Sequence, residues 1–488
     1  MKTHYIAKSA VPGPHRPAFV ASAPLPGRTL FSLPSLSSLS SLSSAVAGFC
    51  LLATTLAAPL SLAAGTTSAR AADTPSAPAG QKKPVVVMTS YHDDVVAPFK
   101  AAFEAAHPDL VVEVLWQPGR EALDTLSKPD HGGADVFWGP SLDTFPTLRE
   151  RGLLRALDVD RTALPGKIGG QPISDPAGYF EAFEVAGYGF ALNDTLLRER
   201  GIAPPKTWAD GADARFAGLV AMPTSAAAGF ASALYDIVLQ AEGWERGWAV
   251  LSEMSANTTT FQGGVMASVD VSEGTAAIGP TIDFYAFTAG NTGKPVGFVY
   301  PARTAFLPAQ VAILADAPHP QAAKTFAAFL LSRSAQERLP APDIRRHPVR
   351  PDAYGTAPEG FGNPFAGARD DFVYDAPLGR KRRTLNAALF DVAIAERHER
   401  VAALWAAIRA AEAALAKNPD AERAALVAQA RALAGRVPVT AATASDSDAL
   451  AKLGEAVDAA TRAEWAAAID AAQDEARALL ARAGKTSP

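Results

Sequence analysis

The chain has 488 residues, 48% hydrophobic and 19% charged, with 45 Lys+Arg against 50 Asp+Glu and one cysteine. That balance lacks the basic footprint of a nucleic-acid-binding protein, so no nucleic acid is expected as a partner. The lone Cys50 leaves no basis for a disulfide framework or a Cys-based zinc site.

In chain order, residues 1–71 read as a secretory leader. They contain Lys2, Lys8, Arg16, Arg28 and Arg70 and no acidic residue. A Leu/Ser-rich tract leads into the apolar run Ala45–Leu62, and Ala69-Arg70-Ala71 offers small residues for cleavage. Pro59 and Ser61 interrupt the apolar run, which is too short for a membrane span. Phe49, before Cys50, does not suit a lipoprotein cleavage site. Removing the leader leaves 40 Lys+Arg against 50 Asp+Glu in about 417 residues, an acidic chain without cysteine. No later segment is apolar and long enough to cross a membrane, so the expectation is a soluble periplasmic protein and not an integral membrane protein. Length alone suggests two or three domains.

Residues 72–83 form a Pro/Ser/Ala linker. Val85–Trp116 then reads as strand, polar loop, amphipathic helix and second strand. Val95, Phe99, Ala102, Phe103 and Ala106 recur at helical spacing, and Val111, Val112, Val114 and Leu115 return to strand character. The loop Thr89-Ser90-Tyr91-His92 would sit at a helix N-terminus, where backbone N–H groups and the helix dipole favour an anion. Strand and helix patterns alternate onward, which marks an α/β architecture. Expected strands are Ala134–Trp138, Gly218–Met222, Ala276–Gly279, Val296–Tyr300 and Val311–Leu314, with Phe183–Leu192 extended. Expected helices are Gly229–Gln240, Trp244–Met254 and His319–Leu339. Gly263-Gly264 reads as a turn. In open α/β sheets ligands bind at the carboxyl ends of the strands.

The character changes near Tyr354. Gly355–Gly379 is rich in Gly, Pro and aromatics, and Ala/Glu/Arg-rich helical sequence follows from Lys381. Val401, Leu404, Ile408, Ala411 and Leu415 keep a 3-4 spacing, as do Leu426, Ala430 and Leu433. Leu450, Leu453, Val457 and Ala460, then Trp465 and Ile469, mark further helices. The reading is a helical hairpin or small bundle packed on the α/β body.

The stretches VVVMTSYHDDVVAPFKAAFEAAHPDLVVEV, ADVFWGPSLDTFPTLRERGLL, AMPTSAAAGFASALYDIVLQAEG, GTAAIGPTIDFYAFTAG and VAILADAPHPQAAKTFAAFLLSRSAQERL, in this order, resemble type II periplasmic solute-binding proteins of ABC importers. The branch is the one holding ferric-iron-, phosphoglycerate- and sugar-phosphate-binding proteins. The NPF and DFVYD segments and the helical tail look like an extension found in one group of these. The resemblance implies an α/β, two-lobed periplasmic-binding-protein fold with two hinge crossings, near Glu184–Asn193 and Gly297–Leu314, plus the C-terminal helical extension. Lobe 1 would comprise 84–187 and 301–354, lobe 2 188–300, and the extension 355–488. It also implies a ligand clamped between the lobes and delivery to the transmembrane subunits of an ABC permease.

Iron-binding members use a His in the first loop, a Glu after the ADVF strand and two adjacent tyrosines. His92 falls at the first position, but Pro140 stands where the Glu belongs and the tyrosine pair reads Phe284-Tyr285. An iron site would rest on His92, Tyr285 and Asp283. The remaining donors suit a small anionic solute, foremost a phosphorylated organic molecule. Thr89, Ser90, Tyr91 and His92 would donate from the first loop, Gly139 and Ser141 from the second, and Thr224 and Ser225 from lobe 2. Asp283 and Tyr285 would read the ligand's hydroxyls, Trp138 would form an apolar wall, and Arg303 would supply a guanidinium. Several of these have a structural alternative. Thr224-Ser225 and His92 can be helix caps, Asp283 a buried structural carboxylate, Trp138 and Tyr285 core residues, and Arg303 a member of a surface ion pair.

No P-loop, H-E-x-x-H or G-x-S-x-G motif is present, the six histidines after the leader are scattered, and neither catalysis nor a cofactor is expected. Ferric-iron uptake and ligand presentation to a membrane kinase are the alternative binding functions.

Overall fold

The computed structural model describes residues 82–224, 230–262, 264–290, 296–359, 361–367 and 372–485. The leader and Ser225 lie outside the described residues, as does Gly263. Within the described residues the strands are β1 (Lys83–Thr89), β2 (Leu110–Trp116), β3 (Val136–Pro140), β4 (Leu154–Arg155), β5 (Lys167–Ile168), β6 (Gln171–Pro172) and β7 (Phe180–Leu192). They continue with β8 (Val220–Pro223), β9 (Thr258–Gln262), β10 (Ile278–Ile282), β11 (Gly297–Val299), β12 (Phe306–Leu314) and β13 (His347–Pro348). One sheet runs β2-β1-β3-β12-β7-β10-β8-β9, with β4 on β12 and with β11 and β13 on β7; β5 and β6 form a separate hairpin.

The opening β-α-β unit forms as the periodicity requires. Val85 and Val87 of β1, Val112 and Val114 of β2, and Val95, Phe99 and Phe103 of helix Asp93–Ala106 share one core. Ala106, expected on the buried stripe, is exposed at the helix end. Alternation along β3 sends Val136 and Trp138 into this core and Phe137 into a second core on the other face.

Strand β7 joins the two halves of the sheet. Its first part pairs with β12 from Phe180 to Gly187, and its last part pairs with β10 from Tyr188 to Leu192. The expected crossings fall on β7 and on the β11–β12 segment, and β12 begins five residues earlier than its sequence signal. The expected helix His319–Leu339 divides into Pro320–Leu330 and Arg333–Gln336. Ser332 adopts an extended backbone there and its side chain accepts from Ala335 N, which restarts the helix. Helices Gly264–Glu273 and Asp283–Gly290 and strand β9 are not among the elements expected from periodicity. Asp283–Gly290 is apolar on nearly every side, so it carries no stripe to read.

Among the described residues the C-terminal segment is mainly helical, with main helices Ala376–Ala393, His398–Lys417, Ala421–Ala434 and Ala459–Lys485. Leu385, Leu389, Phe390 and Ile469 join the core of the β8/β10 half, beside Phe190, Trp208 and Leu234. Trp405 Nε1 donates to Ser252 Oγ at 3.0 Å and Trp244 Nε1 to the Val439 carbonyl at 2.8 Å. The α/β body with a helical extension is thus the fold observed. No helix among the described residues is long and apolar enough to cross a membrane.

Candidate functional site

Strand register places two sets of loops against one stretch of β7. β1 and β3 are parallel, β3 is antiparallel to β12, and β12 is antiparallel to β7, so β1 and β3 run in the direction of β7. β10 is antiparallel to β7 and parallel to β8, so these two run the opposite way. Pro140 stands opposite Ala309, which stands opposite Glu184; Ile282 stands opposite Tyr188. The carboxyl ends of the two parallel sets therefore point toward each other and stop at the level of Glu184–Tyr188.

In the β1 loop, Thr89 is buried and its Oγ1 accepts from Tyr91 N at 3.0 Å, so the hydroxyl shapes its own turn. Ser90 is partly exposed. A Cβ built on Gly139 would lie 3.3 Å from Ser90 Oγ, and the absence of a side chain is what lets the β1 and β3 loops approach. Ser141 Oγ accepts from Thr144 N at 3.0 Å and donates to Thr144 Oγ1 at 2.8 Å, at the start of helix Thr144–Glu150. The hydroxyl of Ser141 is thus engaged as a cap. His92 is exposed at the start of helix Asp93–Ala106, makes no side-chain cap, and stacks on Trp116 at 6.3 Å between ring centroids. Thr224 is partly exposed at the end of β8.

Three expectations need correction. Trp138 is 1% exposed, edge-on to Tyr91, Phe99, Phe183 and Phe326, so it is core and not a wall of the site. Asp283 is buried with both oxygens engaged by the protein. Oδ1 accepts from Phe284 N at 2.7 Å, and Oδ2 accepts from Gly187 N at 2.7 Å and from the Tyr300 hydroxyl at 2.9 Å. It fixes the start of its helix to β7 and to the β11–β12 loop, and it has no oxygen directed at a solute. Arg303 lies on that same loop, where its guanidinium packs over Phe372 at 5.5 Å and not against Tyr91 or Phe284.

The guanidinium at the strand ends is Arg346, not Arg303. Arg346 Nη1 donates to Glu184 Oε1 at 2.6 Å, and the same oxygen accepts from the Tyr91 hydroxyl at 2.7 Å. The Arg346 guanidinium carbon lies 4.1 Å from the Phe284 ring centroid and 5.1 Å from that of Tyr91. One residue from β13's approach thus bridges the β1 loop and the helix that follows β10. Among the described residues, Glu184 Oε2 and Arg346 Nε have no hydrogen-bond partner although buried. Burial pushes the Glu184 carboxyl above its usual range, against the pull of Arg346 and Tyr91. Burial works against the Arg346 charge too, but Glu184, Tyr91 and Asp283 together outweigh it and hold the guanidinium above its ordinary value. Burial also raises the Tyr285 phenol, which packs on Phe284 and Phe230 and stays neutral. Glu184 was findable, because Glu181 and Glu184 are carboxylates inside the otherwise apolar strand Phe180–Leu192. Arg346 sits in irregular backbone with no motif around it.

Among the described residues no group of three or more His, Cys, Asp or Glu could hold a metal ion. Of the residues named for iron, His92 is stacked on Trp116 and Asp283 is fully engaged, so the described geometry does not gather them.

The model of the family described as "Bacterial extracellular solute-binding protein" matches residues 99–360, more than half of the chain. The chain belongs to this family. A relative from Salmonella typhimurium, the phosphoglycerate transport regulatory protein PgtC, is 30% identical over 276 residues, which cover 56% of this chain. The match spans 66% of that relative's own length, just under two thirds. Among solved structures, the periplasmic binding protein AfuA from Actinobacillus pleuropneumoniae with fructose-6-phosphate bound has a TM-score of 0.52 and 20% identity. That match covers 64% of this chain and 98% of AfuA. The Trichodesmium protein FutA, in complex with iron and citrate, has a TM-score of 0.51 and 18% identity, covering 63% of this chain and 98% of FutA. At these identities the likeness is one of fold. The family member described here thus has the two-lobed α/β fold of periplasmic binding proteins, carrying a helical extension.

Proposed function

We propose that this protein is an exported, periplasmic binding protein that captures a small anionic solute, a phosphorylated organic molecule, and delivers it to an ABC permease. The observation that carries the proposal is Arg346, a guanidinium held between the β1 loop and the start of helix Asp283–Gly290, where the opposed strand ends meet. Its Nη1 is committed to Glu184, while its Nε lacks a partner among the described residues. That leaves a guanidinium edge for a planar or tetrahedral anion, with backbone N–H groups of the loop at Ser90–His92 as further donors. The half carrying β1 and β3 and the half carrying β8 and β10 act as the two lobes, with β7 and the β11–β12 segment as crossings. Closure about the solute is what a permease would read.

The test is calorimetric titration of ligand-stripped protein, from Ala72 onward, with 3-phosphoglycerate, fructose 6-phosphate, inorganic phosphate and ferric citrate. Binding of a phosphate ester that is lost in Arg346→Gln supports the proposal, and binding of ferric citrate alone, with a tyrosinate–iron absorption band, would sink it.

A second reading is favoured by one observation: the similar Salmonella protein is named a transport regulatory protein. In that reading the loaded clamp is presented to a membrane kinase. Reconstituted vesicles decide between the two. Solute accumulation with purified permease supports delivery, whereas stimulation of kinase autophosphorylation supports presentation.

A further inference from the structure

A cavity of about 510 Å³ lies beside the β11–β12 loop, and it shares no lining residue with the loops at the strand ends. Its polar lining includes Gln171 from β6, Lys206 from the segment before Trp208, and Arg303 from the loop; Phe306, Phe372 and Tyr374 give it apolar walls. Lys206 and Arg303 are brought together by the backbone bond from Ala302 N to the Lys206 carbonyl at 2.8 Å. Among the described residues neither side chain forms an ion pair, and the nearby Asp210 carboxylate is bonded to the backbone N–H groups of Lys206 and Thr207. Gln171 is 9% exposed, and its Oε1 is buried with no donor bonded to it among the described residues. Its amide otherwise makes only a long contact, 3.4 Å, to the Pro172 carbonyl.

Arg303 also carries backbone strain. Its φ is +62°, a left-handed conformation that a residue with a Cβ adopts at a cost. The conformation is held by its neighbours: Thr304 Oγ1 donates to the Tyr188 carbonyl at 2.6 Å, and Ala302 N is bonded as above. The guanidinium lies over Phe372, and both residues line the cavity.

We propose that this cavity is a second ligand site, distinct from the clamp at Arg346, for a small organic anion with an apolar body and an N–H or O–H donor. Lys206 and Arg303 take the anionic group, Gln171 Oε1 accepts from the donor, and Phe306, Phe372 and Tyr374 bound the apolar part. The volume suits a ligand of that size, and each recognition element has its counterpart in the lining.

1-Anilinonaphthalene-8-sulfonate combines a sulfonate, an N–H and an apolar ring system, and its fluorescence reports binding directly. Titration of the full chain from Ala72 should give one saturable site. The double variant Lys206→Gln, Arg303→Gly should weaken it about tenfold or more, the factor expected when charge-assisted contacts are lost. Glycine keeps the left-handed backbone at position 303, so this variant retains the fold, as circular dichroism and the melting temperature would confirm. Gln171→Leu should weaken the dye by about threefold through loss of the single acceptor. Absence of a saturable site in the parent would overturn the proposal. So would unchanged affinity in the double variant, or loss of the dye on Arg346→Lys, which would place it in the clamp.

Discussion

The two halves of the sheet are built differently. The β1/β3 half is closed by its own elements: helix Asp93–Ala106 and helix Pro320–Leu330 cover one face, and short helices with Phe137, Phe145 and Leu148 cover the other. The β8/β10 half is completed by the C-terminal extension, whose Leu385, Leu389, Phe390 and Ile469 fill the same core as Phe190, Trp208 and Leu234. Asp236 of that half is buried, with Asn386 Nδ2 at 2.8 Å and Arg382 at 3.8 Å from the extension. Arg409 of the extension bonds Asn257 Oδ1 at 2.8 Å and the Ala212 carbonyl at 2.7 Å. By contrast, the ion pairs from helix Ala376–Ala393 to the β3 loop are those of Arg383 and, at 3.9 Å, Arg380 with Asp143. One half of the sheet thus carries the extension as part of its core, and the other forms ion pairs with that helix near the solvent. Movement between halves would break ion pairs and the Arg346 bridge while leaving the extension in place.

The sharpest way to break this comparison is Trp405→Ala. Trp405 is 1% exposed and bonded to Ser252, so the substitution should cost about 3–5 kcal/mol in urea denaturation. The extension and the β8/β10 half should lose structure in one transition. An extension that unfolds first, while the half's tryptophans Trp208 and Trp248 keep their buried emission, would show that the core is not shared.

Next in size is Arg346. Arg346→Gln should weaken a bound phosphate ester by about 2–5 kcal/mol, and it should also destabilise the fold by leaving Glu184 buried without its cation. The pair Glu184→Gln, Arg346→Gln separates the two effects, because both charges then leave together. Stability restored in the double variant with binding still absent assigns Arg346 to the solute.

A smaller effect should follow pH. Burial holds the Glu184 carboxyl above the usual carboxylate range. As pH falls through that raised value the carboxylate takes up a proton, and the negative charge beside Arg346 disappears. Anion affinity should then rise on acidification, and this component should vanish in Glu184→Gln, which should bind more tightly than the parent at neutral pH. An identical pH profile in both proteins would contradict this. Least of all, Asp143→Asn should change stability by about 1 kcal/mol or less, since its partners are partly exposed. Its effect should fade as salt is raised.

Much of this fold is legible in the sequence, for a physical reason. The βαβ opening and the helical tail follow from periods of two and of three to four, which the chain displays locally. Thr89, Tyr91 and Gly139 were legible as residues near the strand ends, although Thr89 closes β1, Gly139 lies within β3, and Thr89 and Tyr91 bond within the protein. The misassigned residues are those whose role depends on distant partners. Asp283 Oδ2 receives its donors from Gly187 and Tyr300, and Trp138 is enclosed by Phe99 and Phe326, none of them a sequence neighbour. Arg346 lies 162 positions from Glu184 and gains its place through strand pairing of β13 on β7. The sequence points to Arg303 for the guanidinium role, whereas the pairing of β13 on β7 brings Arg346 to Glu184.

The central claim is an anion clamp at Arg346, and calorimetry of ligand-stripped protein with 3-phosphoglycerate, parent against Arg346→Lys, addresses it most directly. The account predicts one site in the parent and a loss of about tenfold or more in the variant, because lysine cannot offer a guanidinium edge. Equal affinity in the two proteins, or a single site that answers only to ferric citrate, would contradict it.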